Sequence, residues 1–146
     1  MKVLTKKQLL KHFKKNKSDR KQLDKECLDL WREIGLLKAK GKCEFNNCQK
    51  TENLNCHHIY SKGRFKHLKY DIDNCLVLCP WHHTLGNESA HKDIEFKDKI
   101  TGKKDGYGEV RSGLFLLKLE RKAMSVYKQD LKMEKIYLEN ELKLLK

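Results

Sequence analysis

Apolar residues between positions 19 and 40 recur at helical spacing: Leu23, Cys27, Leu30, Ile34 and Leu37, with Trp31 beside them. The spacing predicts a long amphipathic helix whose apolar stripe is packing surface, with Cys27 a small buried hydrophobe on it. Ser18 is the expected cap and Gly41 the expected stop, while Gly35 weakens the interior. Upstream, Thr5 and Gln8 form a capping box for a short helix through Lys15, with Leu9, Leu10 and Phe13 apolar. Asn16-Lys17-Ser18 is expected to separate the two helices.

The period then changes. Leu54 to Tyr60 reads as a short strand and Asn74 to Leu78 as its return, with a basic loop from Ser61 to Lys69 between them. Pro80 suits the first turn of a helix. Asn87 or Ser89 opens another short helix through His91, Ile94 and Phe96. Thr101 to Gly108 has three glycines and no apolar pattern, which predicts a loop. Helical spacing returns over Glu109 to Ala123 (Val110, Leu114, Phe115, Leu117). Asp130 caps a last helix to Lys146 with Leu131, Leu138, Leu142 and Leu145 on one face. The expected fold class is α+β. One compact domain would hold a basic helical region over 1–42, a ββα core over 43–100 and a helical region over 101–146.

Composition sharpens this picture. Of 146 residues, 36% are charged and 38% hydrophobic, so apolar material is short for a thick core. A small core needs help, and a metal is a usual source. The net charge of +13 predicts attraction to a polyanion that weakens as salt rises. Residues 1–42 carry fourteen Lys and Arg against five acids, residues 43–100 eight against eight, and residues 101–146 eleven against seven. Basic flanks around a neutral centre suit a grip on phosphates around a reacting group. A membrane surface is the competing polyanion, but no apolar run approaches a membrane span. The start MKVLTKKQLLKHFKK holds no signal core, which points to the cytoplasm. There, cysteines clustered with histidines favour metal over disulfides.

Six of the seven histidines, five of the six cysteines and the only proline lie between Cys43 and His91. Two ligand sets interleave in that stretch. Cys43, Cys48, Cys79 and His82 form two short-spaced pairs that suit a structural Zn2+, with Cys75 or Cys56 as alternative ligands. His57, His58, Asn74 and His83 suit a catalytic divalent ion, Mg2+ or Mn2+, and an activated water. Strand alternation sends His57 and His58 to opposite faces, so one can meet an ion while the other faces water or phosphate. Asn74 can bind the ion through its amide oxygen or hold the loop. His91 is either an extra metal or phosphate contact or a cap on a short helix.

At these residues the stretch resembles the HNH endonucleases, whose fold is the ββα-metal finger. His57-His58 looks like the first element, Asn74 the second and His83 the third. Asn74-x4-Cys79-x-x-His82-His83 resembles the form in which a zinc pair abuts the final histidine, with His82 in place of the usual second cysteine. The resemblance implies His58 as general base and His57 and His83 as ligands of the catalytic ion. It also implies Asn74 as a third ligand or a structural group. A looser likeness, through HHIYSKGR, Tyr70-Asp71-Ile72-Asp73-Asn74 and Ser89-Ala90-His91, is to phage recombination endonucleases of the NinG/Rap kind and related phage-borne HNH nucleases. Such an enzyme would act in a bacterial host cell. Lys62, Arg64, Lys66 and Lys69, interleaved with Phe65 and Tyr70, are then expected to contact phosphates near the scissile bond. The leading reading is a metal-dependent endonuclease cutting double-stranded or branched DNA. Its rivals are a non-catalytic zinc module that binds nucleic acid, an RNA-directed nuclease and a defence nuclease. The oligomeric state stays open, a homodimer included.

Overall fold

The computed structural model describes the backbone of residues 6–146, and the side chains of that span except at positions 6, 8, 9, 12 and 13. The fold is small and mixed α+β: α1 (Lys6–Lys38), β1 (Asn55–His58), β2 (Cys75–Leu78), α2 (Phe96–Ile100), α3 (Gly113–Met124) and α4 (Leu131–Leu145). The capping box expected at Thr5 and Gln8 lies outside the described residues.

β1 and β2 pair antiparallel, with Asn55 opposite Leu78 and His58 opposite Cys75. β2 is buried along its whole length because two layers cover it. Cys75 and Val77 face α1 and pack with Trp31. Leu76 and Leu78 face the other way, onto Phe45, Phe96, Ile100 and Leu119. This double cover explains why CLVL is a continuous apolar run rather than an alternating one. Burying each such Leu or Val contributes about 1.5–3 kcal/mol. The outer edge of β2 is covered by Glu44. Its N–H donates to the Val77 carbonyl at 2.9 Å and its carboxylate accepts from the Val77 N–H at 2.7 Å. Arg111 pairs with that carboxylate at 2.9 Å and donates to the Cys75 carbonyl at 3.2 Å. Side chains thus satisfy an edge that a third strand would otherwise take.

The break expected at Asn16-Lys17-Ser18 does not occur, and α1 runs unbroken for 33 residues. Asn and Ser cost only about 0.5 kcal/mol each against Ala, and with no Pro or Gly there the helix propagates through them. Gly41 does close it. Lys40 and Gly41 take φ of 54° and 64°, and their N–H groups bond the carbonyls of Leu37 and Leu36. α4 packs on α1 through Leu138 and Leu142, against Cys27, Ile34 and Tyr70. Asp130 caps α4 as expected, accepting from the N–H groups of Lys132 and Met133. α3 starts later than Glu109, at Gly113 under a Ser112 cap. The N–H groups of Val110 and Arg111 instead both bond the Ile100 carbonyl, at 2.8 and 2.9 Å.

The helix expected to start near Pro80 does start there, as one short turn. Trp81–Leu85 forms a five-residue π-helical turn, closed by the Gly86 N–H on the Trp81 carbonyl at 2.8 Å. A Cβ on Gly86 would stand 2.7 Å from the Trp81 indole, so only glycine closes the turn beneath that ring. Turns follow, in place of a helix opened at Asn87 or Ser89, until α2 begins. Among the described residues, no helix is long and apolar enough to cross a membrane.

Candidate functional site

Two Cys/His clusters stand apart within the central stretch. In the first, the ligand atoms of Cys43, Cys48, Cys79 and His82 all lie within 4.8 Å of one another. The four-residue gap between Cys43 and Cys48 closes because Asn46 and Asn47 take left-handed φ of 45° and 58°. The Cys48 N–H then reaches the Phe45 carbonyl at 2.9 Å. Cys79 directly follows β2 and His82 sits in the π-helical turn. The Sγ atoms of Cys43 and Cys79 each stand 3.4 Å from His82 Nδ1. Tetrahedral Zn–S and Zn–N bonds imply a separation of about 3.5 Å. The four side chains form a Cys/His cluster with the geometry to hold a metal ion. Burial pushes the Cys43 thiol up to about 12, with the neighbouring Cys79 and Cys48 thiols adding to the shift against backbone bonds that oppose it. Burial also opposes ionisation of Cys79, but bonds from the His82 and Trp81 backbone and from the Cys43 and Cys48 thiols hold it lower. Cys56 and Cys75 do not join this cluster, since both thiols press on Gly35 of α1.

The second cluster joins His57, His83 and His91, again with ligand atoms within 4.8 Å. His57 leaves the sheet on the Leu76 side, and its ring meets His83 at 5.4 Å, His91 at 5.0 Å and Phe96 at 6.1 Å, all edge-on. His83 Nε2 and His91 Nε2 stand 3.1 Å apart. Two imidazoles on one ion, with bonds of about 2.1 Å, hold their nitrogens roughly 3.0–3.4 Å apart. Burial first, then the rings of His91, His83 and His58, push His57 down to about 3. Burial and His91 lower His83 as well. The imidazoles of His57 and His83 are therefore neutral at pH 7, with lone pairs free for an ion. No carboxylate belongs to either cluster among the described residues.

His58 leaves the sheet on the opposite side. Its ring stacks on Trp31 of α1 at 4.1 Å and 12°. Its Nε2 lies 2.8 Å from the Lys69 carbonyl. A carbonyl only accepts, so Nε2 carries the proton and Nδ1 the lone pair. Burial lowers the pKa of His58 against that carbonyl bond, and the charges of Lys62, Arg32 and Lys69 lower it further. One cleft of about 560 Å³ nevertheless takes in both rings. It is lined by His57, His58, His83 and His91 with Ser61 and Lys62. A larger groove of about 860 Å³, between α1 and residues 127–132, has no such cluster on its walls.

Asn74 does not reach this cleft. It is fully buried, its Oδ1 accepts from the Tyr60 N–H at 2.7 Å, and its Nδ2 donates to the carbonyls of Tyr60 and Leu68 at 2.9 and 3.0 Å. Its amide is thus engaged in joining Tyr60 to Leu68, and His91 stands as third ring beside His57 and His83. The four loop cations part company. Lys62 lines the cleft and Lys66 the larger groove. Arg64 is exposed and sits over the Phe65 ring at 5.4 Å. Lys69 is engaged by Asp24 of α1, which also accepts from the Tyr70 hydroxyl. Lys69, expected at phosphate, thus already holds an internal ion pair. His67, the remaining ring of the stretch, is buried and donates from Nε2 to the Lys122 carbonyl at 3.0 Å.

Trp31 and Asp24 carry no mark of a site in the sequence. Trp31 sits beside an apolar stripe, which reads as core. The signal that separates them from packing is their spacing: seven residues, two turns, on one side of α1. Set against protein-family models, curated proteins and solved structures, the chain matches none of them.

Proposed function

We propose that the protein is a metal-dependent endonuclease that hydrolyses phosphodiester bonds in DNA. One observation carries the reading: a cluster of three imidazoles and a fourth, separately held histidine line the same cleft. A closed Cys/His cluster braces the fold beside it. The likeness of His57-His58, Asn74 and His83 to the HNH endonucleases supplies the reaction class. The looser likeness to phage recombination nucleases supplies branched or double-stranded DNA as substrate. An ion on His57, His83 and His91 would supply charge stabilisation for the phosphate oxygens and the leaving group. Three nitrogen donors without a carboxylate suit Mn2+, Zn2+ or Ni2+ better than Mg2+, which takes oxygen ligands.

The chain's own residues supply the rest. His58 is neutral at pH 7 and presents Nδ1 as acceptor for the proton of an attacking water. Lys62, exposed at the cleft, meets the phosphate charge without taking part in proton transfer. Cys43, Cys48, Cys79 and His82 would hold a structural Zn2+, which would tie the π-helical turn that carries His83 to the Cys43–Cys48 loop.

A second reading rests on the same Cys/His cluster: a zinc-braced module that binds nucleic acid and cuts nothing. It has no use for the three-imidazole cluster. The test is cleavage of linear, supercoiled and four-way-junction DNA, and of RNA, with Mg2+, Mn2+, Zn2+ or Ni2+ added. Wild type should cut DNA with a first-row ion. His58→Ala should cut about 10²–10⁴-fold more slowly while keeping its zinc and its DNA affinity. Binding without cleavage under every ion would establish the module instead.

A further inference from the structure

Beyond the sheet that carries His57 and His58, the chain spends one side of α1 on holding a single imidazole. We infer that Trp31 and Asp24 are positioning residues that set the plane and the tautomer of His58; the inference rests on the endonuclease reading for its catalytic consequence.

Trp31 sets the plane. Its indole lies 4.1 Å from the His58 ring at 12°, covering one face of the imidazole. The indole cannot follow if the imidazole turns. It is 1% exposed, and its Nε1 donates to the Asp71 carbonyl at 2.8 Å. The Lys69 carbonyl sets the tautomer, at 2.8 Å from His58 Nε2. That carbonyl is itself held. Asp24, two turns before Trp31, takes both the Lys69 ammonium and the Tyr70 hydroxyl. A ring flip of His58 would break the carbonyl bond and leave a buried acceptor without its donor. With one face stacked and one nitrogen tied, Nδ1 is the nitrogen left to accept a proton. Plain packing would need the stack but neither the carbonyl bond nor the Asp24 clamp behind it.

The experiment compares Trp31→Leu, Trp31→Phe and Asp24→Asn with wild type in the zinc-loaded full chain. The first readout does not depend on cleavage. In ¹⁵N-edited spectra at pH 7.5, wild-type His58 should show a protonated Nε2, an unprotonated Nδ1 and ring protons shifted upfield by the indole. Trp31→Leu should lose the shift and mix the tautomers. Trp31→Phe should restore most of both, because a flat ring still stacks. The second readout is kinetic. Trp31→Leu and Asp24→Asn should lower kcat by roughly ten- to a hundredfold with KM little changed, the size expected when a reacting group is misplaced. Asp24→Asn leaves the core filled, so it reports even if Trp31→Leu fails to fold. A single Nε2–H tautomer in folded Asp24→Asn, with wild-type kcat, would overturn the inference. If the wild type cuts nothing, the endonuclease reading falls. The spectra then decide the positioning alone: an unmixed tautomer in Asp24→Asn overturns it, and a mixed one upholds it.

Discussion

The Sγ of Cys75 lies 2.6 Å from where a Cβ on Gly35 would stand, and the Sγ of Cys56 lies 3.3 Å from it. The helix and the sheet touch there, backbone against thiol, and this contact brings Trp31, one turn earlier, within reach of His58. Gly35 in mid-helix is therefore a packing requirement. An exposed helical glycine replaced by alanine gains up to about 1 kcal/mol. At Gly35 the added methyl overpacks a full site, which costs about 1–3 kcal/mol. Gly35→Ala should therefore lower the urea midpoint rather than raise it. Adding Cys75→Ala to Gly35→Ala should recover part of the loss, a non-additive result for two groups in contact. A raised midpoint in Gly35→Ala alone would mean that the helix stands off the sheet.

The same contact shows what was legible in the sequence. The apolar stripe of α1, both strands, the Asp130 cap and the Gly41 stop follow from local spacing and turn chemistry, and they are observed. So is the grouping of Cys43, Cys48, Cys79 and His82, because short-spaced pairs at the ends of elements converge. What local pattern cannot reach is contact between distant positions. Asp24 with Lys69, Glu44 with the edge of β2 and Trp31 with His58 each join residues far apart in the chain. The unbroken α1 lies beyond local pattern for a different reason: Asn16 and Ser18 favour caps, but inside a long helix they merely weaken it. Asn74 was legible as important but not as what it is, since its type fits a ligand and a loop brace equally.

Asn74 makes that distinction measurable. Three bonds at its amide join Tyr60, two residues past the first strand, to Leu68 before the second. Truncation leaves a buried N–H and two carbonyls unpaired, each costing about 1–3 kcal/mol where water cannot replace the partner. Asn74→Ala should lose on the order of 3 kcal/mol or more in chemical denaturation. While folded, it should bind ions at the three-imidazole cluster with unchanged affinity. A variant of native stability with weakened ion binding would return Asn74 to the ligand set.

The two clusters should differ in how many protons they give up to a metal. The Cys43 thiol, pushed up to about 12, is protonated at pH 7, so zinc uptake must release its proton. His57, pushed down to about 3, and His83, also lowered, are already unprotonated at pH 7. Zinc affinity at the Cys/His cluster should therefore rise with pH through neutrality. Ion affinity at the imidazoles should depend on pH less steeply, because His57 and His83 have no proton to give up at neutral pH. Titration calorimetry in two buffers of different ionisation enthalpy reads the proton count directly. It should be positive for zinc uptake by the Cys/His cluster, and smaller for Mn2+ added to zinc-loaded protein. As many protons released by Mn2+ as by zinc would show that burial does not keep His57 and His83 neutral.

An unbroken α1 also changes what its lysines can do. Two helices with a hinge would scatter them, whereas one helix aligns them. At about 100° per residue, Lys7, Lys11, Lys14, Lys21, Lys25 and Arg32 fall within roughly 40° of one line along the helix. All six are exposed. The line spans about 37 Å at 1.5 Å per residue. Arg32, at its cleft end, is near enough that its charge disfavours protonation of His58. A solvated face would leave such charges without a partner. A duplex with one phosphate charge per about 1.7 Å would meet several of them at once, and each neutralised phosphate contributes about 0.9 to the slope of log affinity against log salt. Lys14→Ala/Lys21→Ala/Lys25→Ala should therefore flatten that slope by about 2–3 and weaken binding to every DNA sequence alike. Removal of residues 1–17 should act in the same direction. The three side chains are exposed and far from the cleft's histidines in sequence, so stability should change by less than about 0.5 kcal/mol each. Saturating DNA should restore the wild-type cleavage rate, because the stripe holds substrate without touching the reacting atoms. An unchanged salt slope in the triple variant would make the stripe a solvated face and move the phosphate grip to Lys62 and Arg64.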